Sequence, residues 1–219
     1  MTTEGCEALE ALGRTRLSRN FFMRDFLYSE TASEYGVRNF PDHPGAAIAA
    51  ATQLCTQILE PLQETFGRVH VRSAFRSERV NQVCLDRGLN CAPNDQARGN
   101  HIWDSADQRG ARGAMACVVL PWLIDQCDTG MDWREFAWWV HDHLPFSKLI
   151  LYRELFAFNI AWSEAPLRLI YSRIEPVGVL AAPVTASQWI GEARYADLLA
   201  RLKSSPNPRQ SSSTSGAAS

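Results

Sequence analysis

The residues with chemistry within reach gather in two places. The stretch "GNHIWDSADQRG", residues 99–110, carries His101, Asp104 and Asp107 around Trp103, with a glycine at each end. Imidazole binds metals and exchanges protons near neutral pH, and a carboxylate does the first and serves as a base. Side by side in a loop they are the raw material of a hydrolytic or metal site. Further along, "WWVHDHLPF" offers His141, Asp142 and His143. In an extended segment the His-x-His spacing puts both imidazoles on one face, a spacing that metal sites use. The same residues read without chemistry as a polar surface loop and as a solvated helix C-terminus, where the helix dipole favours histidine. His43 and His70 have no such context and read as loop and strand residues.

Cysteine chemistry is less pointed. Cys6, Cys55, Cys84, Cys91, Cys117 and Cys127 form no C-x-x-C pair. They read as small core residues with reduced thiols. The N-terminal "MTTEGCEALEALGRTRLSRN" lacks an apolar leader, and the longest apolar patch, "AMACVVLPWLI", is broken by proline. A cytoplasmic protein without a membrane span is expected, and release by a phage-type lysis route fits the same features. A formal net charge of -2 leaves no electrostatic case for nucleic acid or an anionic membrane as partner.

The elements that must position these residues follow from pattern. With 46% apolar and 21% charged residues the chain falls in the globular class, and 219 residues are enough for one substantial core. Residues 1–17 read as an N-terminal extension with a short amphipathic helix, 18–203 as a single domain, and the Ser/Pro/Gly-rich 204–219 as a disordered tail. "SRNFFMRDFLYSETASEYG" places Phe22, Phe26 and Leu27 on one helical face, with Gly36 as its cap. "AAIAAATQLCTQILEPLQETFG" is the strongest helix, kinked at Pro61 and ended by Gly67. "RVHVRSAF" alternates as a strand, "SERVNQVCLDRG" is a helix opened by Ser77, and 89–112 is a long loop. "GAMACVVLP" is a buried strand. A helix runs from about Asp132 to His141, with Asp132 and Glu135 in capping-box spacing. "SKLILYR", "FNIAWS" and "LRLIYSR" are strand-like. Helices precede strands, so an α+β fold is expected, its helices packed on a small, mainly antiparallel sheet. Seven tryptophans, three of them in "WREFAWWVHDHLPF", read as core first and as an interaction patch second.

Three segments in order resemble one family: "LSRNFFMRDFLYSETASEYGVRNFP", "LEPLQETFGRVHVRSAFRSERVN", and a histidine loop followed by a small-residue strand. The chain is similar to the zinc D-Ala-D-Ala carboxypeptidases of peptidase family M15, with the hedgehog/DD-peptidase fold, over roughly residues 17–175. The resemblance implies a single catalytic zinc held by three ligands, a glutamate base and an arginine for the substrate carboxylate or the oxyanion. Arg76 matches the arginine and His101 the first ligand. The rest departs from the family pattern. Asp104 and Gln108 stand at the loop's glycine and aspartate, with Asp107 one residue short. With an insertion in the loop, Cys117 takes the aspartate position, either as a thiolate ligand or as a buried small residue. Asn159 falls at the third ligand, and Tyr152 at the glutamate.

The expected function is therefore an M15-like peptidase or amidase acting on peptidoglycan-type or other small peptides, with altered metal ligands. Arg76, Asp104 and Asp107 are the catalytic candidates. His101, Cys117, His141 and His143 are the candidate zinc ligands. Ser73, Arg76, Trp103, Asn159 and Tyr152 are the substrate-binding candidates. The alternative is a catalytically inactive module of the same fold, its cleft recognising a peptide or a protein partner.

Overall fold

The computed structural model describes residues 3–182 and 190–204. The chain enters through α1 (Thr3–Gly13), a 3-10 turn Met23–Phe26 and α2 (Glu30–Glu34), so the one helix expected around Phe22–Gly36 forms as two short pieces. Leu12 and Leu17 of the expected N-terminal extension join the same core as the rest of the domain. The strong alanine-rich helix forms as one run: α3 (Pro44–Leu54), a π-turn Cys55–Leu59 and α4 (Glu60–Phe66). Pro61 has no N–H to give, and the π-turn just before it is where the ladder absorbs that loss. Glu60 is nearly buried in this run and accepts from Ser18 Oγ (2.6 Å) and Asn20 N (2.7 Å), stapling the entering chain to the helix. Burial alone would raise its pKa, but these hydrogen bonds and Arg19 hold it below the ordinary carboxylate value.

β1 (His70–Ser73) and α5 (Glu78–Asp86) follow as expected, Ser77 Oγ accepting from Val80 N at 3.2 Å to open the helix. The long loop contains α6 (Asn94–Ala97) and leads into β2 (Gly113–Val119). Then come α7 (Pro121–Asp128), α8 (Trp133–His143), β3 (Lys148–Leu151), β4 (Phe158–Ser163), β5 (Leu169–Ser172), β6 (Gly178–Ala181) and α9 (Ala196–Ser204). Asp132 caps α8 through Arg134 N at 2.9 Å. Glu135 does not close a capping box. Its Oε2 accepts from Leu198 N at 2.9 Å and so anchors α9. The tail expected to be disordered, Ser204 apart, lies outside the described residues.

The strands form one six-stranded sheet in the order β1-β2-β4-β3-β5-β6, antiparallel except for β3 with β5. The fold is α+β with a mainly antiparallel sheet, as the order of elements predicts. β2 is paired on both sides, next to the edge strand β1, and Ala114, Ala116 and Val118 on one of its faces are wholly buried where α3 packs. Along the same strand Cys117 is only half-buried, because the opposite face opens on a cleft. No helix of the described residues is long and apolar enough to cross a membrane.

Two further ties matter for the site. Cys84 and Cys91 are joined as a disulfide with a Cα–Cα distance of 6.1 Å, which corrects the expectation of reduced thiols throughout. The loop of residues 99–110 is bound to the start of β2 at glycine. A Cβ on Gly113 would lie 2.4 Å from Gly99 O and 2.7 Å from Trp162 O, closer than side-chain carbons come to backbone. Gly99 itself has φ +67°, where a side chain is strained. Gly113→Ala should therefore cost about 2–3 kcal/mol, a value typical of overpacking against rigid backbone. Urea unfolding of the variant beside the wild type measures it, and an unchanged midpoint would show the contact to be slack.

Candidate functional site

The floor of the cleft is set by strand register. Cys117 pairs with Ser73 of β1 and with Asn159 of β4, and Asn159 pairs with Ile150 of β3. Directly paired residues share a face of the sheet, and so do residues two apart on a strand. Ser73, Cys117, Asn159 and Tyr152 thus come together as the floor of a cleft of about 470 Å³, a size ordinary for small-ligand sites. Asn159 Nδ2 donates to Tyr152 Oη at 3.0 Å, linking the two floor residues from β4 and the end of β3.

Arg76 and His101 form the next wall and hold each other's backbone, with Arg76 N donating to His101 O at 2.9 Å. His101 Nδ1 lies 2.7 Å from Ala74 O. A carbonyl only accepts, so the proton is on Nδ1 and Nε2 keeps its lone pair. Burial, with the positive charges of Arg76 and Lys148, pushes the His101 pKa down to about 3 despite the Ala74 bond. Arg76 is half-buried, and burial lowers its pKa as well. Among the described residues no carboxylate lies within ion-pair reach of its guanidinium, which rests against the sulfurs of Cys84 and Cys91. Burial raises the pKa of the Cys117 thiol, with Arg72 and Ser73 offsetting it only in part, and burial also raises that of Tyr152. At neutral pH the floor is a thiol, an amide and a phenol beside a neutral imidazole, and the guanidinium is the deep charge.

Sequence reasoning missed the residue that positions Arg76. Asn39 Nδ2 donates to Leu27 O (2.9 Å) and Phe75 O (3.0 Å), while its Oδ1 accepts from Ser77 N (2.8 Å), gripping the chain on both sides of Arg76. Its one signal was its place in "RNFP", which reads as a punctuated loop rather than as a brace.

Five expected site residues lie elsewhere. Asp104 Oδ2 accepts from Asp42 N (2.7 Å) and His43 N (3.2 Å) at the start of α3. Asp107 accepts from Arg109 N and Ala111 N, each at 2.9 Å, and ion-pairs Arg109 at 3.1 Å. Both carboxylates brace their loop and neither lines the cleft, which corrects their expected catalytic role. Trp103 is not a ligand-binding surface either. It is wholly buried between Phe26 and Phe75, with Nε1 donating to Met115 O at 3.3 Å.

His141 and His143 are likewise outside the cleft. The helix continues through both, so two residues of spacing place them about 200° apart and not on one face. His141 Nδ1 donates to Asp142 Oδ1 at 2.8 Å, and His143 stacks on Trp139 with 4.7 Å between ring centres. Asp142 in turn accepts from Ile190 N and Gly191 N, both at 3.0 Å, so the cluster ties α8 to the chain that leads into α9.

Whether this cleft suits zinc is a question of donors. A catalytic zinc takes three protein ligands. Of the residues that the sequence resemblance suggests as ligands in this cleft, His101 and Cys117 are two donors of fitting type, and the third, Asn159, is an amide already engaged by Tyr152. Among the described residues no group of three His, Cys, Asp or Glu side chains is placed to hold a metal. The donor set does not fit. Searches against family models, curated proteins and solved structures found no match to this chain.

The depressed His101 pKa has a measurable sign. The unfolded chain takes up a proton near pH 6.5 that the folded imidazole refuses until about pH 3. The stability His101 contributes is full above about pH 6.5 and is lost steadily as pH falls below it. In the folded protein, His101 ring resonances followed by NMR should stay neutral from pH 8 to pH 5. A midpoint within that range would contradict the buried, Ala74-bonded tautomer.

Proposed function

We propose that this chain is a recognition module on an M15-like, hedgehog/DD-peptidase-type scaffold. Its cleft binds the C-terminal carboxylate of a small peptide, of which a peptidoglycan stem peptide is the natural example, without metal-dependent cleavage. The observation that carries this reading is Arg76. A guanidinium withdrawn from water into a cleft, with no carboxylate beside it among the described residues, is a charge awaiting a partner. Its planar fork fits a carboxylate with two parallel hydrogen bonds. Asn39 fixes the backbone that presents it, and the floor residues Cys117, Asn159 and Tyr152 bring no carboxylate beside it, the acidic residues of the lining being Glu30 and Glu154.

The reading is tested by calorimetry with acetyl-alanyl-alanine and its C-terminal amide. The free acid should bind and the amide should bind much more weakly. Arg76→Ala should weaken the acid by about tenfold to a hundredfold, the range of a charge-assisted hydrogen bond, with Arg76→Lys in between. Equal affinity for acid and amide would sink the proposal.

A second reading, a zinc peptidase or amidase with altered ligands, is favoured by one observation: His101 and Cys117 line the same cleft. Metal analysis of the purified protein separates the two. The binding-module reading expects zinc far below one per chain. About one zinc per chain, lost in both His101→Ala and Cys117→Ser, would favour the enzyme.

A further inference from the structure

The geometry points to β1 as the strand along which a bound peptide is added to the sheet. The peptide's C-terminal carboxylate lies at Arg76 and its preceding residues run parallel to β1. This inference rests on the carboxylate-binding reading of the cleft and extends it from an anion site to a main-chain reader.

β1 is an edge of the sheet, paired on one side by β2. Three of its four residues, His70, Arg72 and Ser73, are exposed. Among the described residues no hydrogen bond from outside the sheet reaches the backbone of His70–Ser73. The next free N–H groups are already taken, Phe75 N by Phe26 O at 3.2 Å and Arg76 N by His101 O at 2.9 Å. An open strand edge is a template for another chain. Here it does not simply face solvent: Arg72 and Ser73 line the cleft, Tyr28 to Thr31 line it too, and the Met23–Phe26 turn packs near the strand. The Arg72–Ser73 end of the edge therefore opens into the same space that holds Arg76.

Charge and direction choose the occupant. β1 runs towards Arg76, so a ligand whose C-terminus sits at the guanidinium runs the same way, as a parallel strand. Arg72 marks an irregularity in the pairing of β1 with β2 and adds a second cation beside the same end. At about 3.3 Å per residue, a four-residue edge accepts a ligand of three or four residues. Tyr28 and Leu89, both exposed, stand on the rim where alternate side chains of such a strand would rest.

The experiment uses the wild-type chain and sequence-neutral probes: acetyl-alanine, acetyl-dialanine, acetyl-tetraalanine, the last with alternate amides N-methylated, and its C-terminal amide. Affinity by calorimetry should rise at least about tenfold from the shortest acid to the longest, and fall back on N-methylation at alternate positions of one parity. Hydrogen–deuterium exchange of β1 amides should slow when acetyl-tetraalanine binds. Carboxylate-dependent binding that is indifferent to length and N-methylation would overturn strand addition and leave the anion reading standing. Equal binding of acid and amide, still sensitive to N-methylation, would keep strand addition and sink the role of the carboxylate. No binding of any acid by the folded protein would sink both.

Discussion

The period-two pleat of β2 is the constraint on which the rest of the molecule depends. Ala114, Ala116 and Val118 on one face are small enough for α3 to approach and are wholly buried. The same pleat turns Cys117 to the other face, and antiparallel pairing brings Ser73 and Asn159 beside it. Core and cleft are thus two sides of one strand. A shift of pairing by a single residue would exchange them, so the burial that stabilises the fold also fixes which side chains meet in the cleft.

Electrostatics then decide what the cleft can do. Burial keeps the Cys117 thiol and the Tyr152 phenol protonated and His101 neutral, which removes the ordinary nucleophile and leaves a weak base. The same burial cannot neutralise Arg76, because a guanidinium holds its proton too tightly. One burial thus has two effects, suppressing reactivity in the soft groups and sharpening the charge of Arg76. That balance supports the proposed reading of the cleft as a site of recognition.

Much of the fold was legible in the chain, and the reasons are local. The alanine-rich run around Leu54 and Leu62, the Ser77 cap and the apolar strand around Ala116 each carry their own periodicity or cap. β6 carried none, being four residues long with its Val179 exposed, whereas α9 does place Leu198, Leu199 and Leu202 at helical spacing, a pattern that the sequence reading passed over. In the site, Arg76, His101, Cys117, Asn159 and Tyr152 were legible through resemblance to a family pattern, and the structure brings them to one cleft. The acidic residues beside His101 misled because sequence proximity says nothing of direction. Asp104 and Asp107 turn away to hold backbone N–H groups of their own and neighbouring loops. His141 and His143 misled because their pairing needed an extended chain, and α8 stays helical through both. Asn39 could not be seen, since its three partners span Leu27 to Ser77 and meet only in the folded chain.

The contact between Gly99 and Gly113 has a consequence for how this cleft could change over time. It welds the His101 loop to β2, so that wall tolerates little remodelling without disturbing the core beneath it. The facing walls are built otherwise. Tyr28 to Thr31 lead into the short helix α2, and Glu154 lines the cleft beside the left-handed bend at Leu155 between β3 and β4. Mutational drift in ligand preference therefore has one side on which to act. On the proposed reading, related chains should differ in what they select through the residues around Tyr28 and the bend that carries Glu154, with the histidine wall carried along as inherited framework.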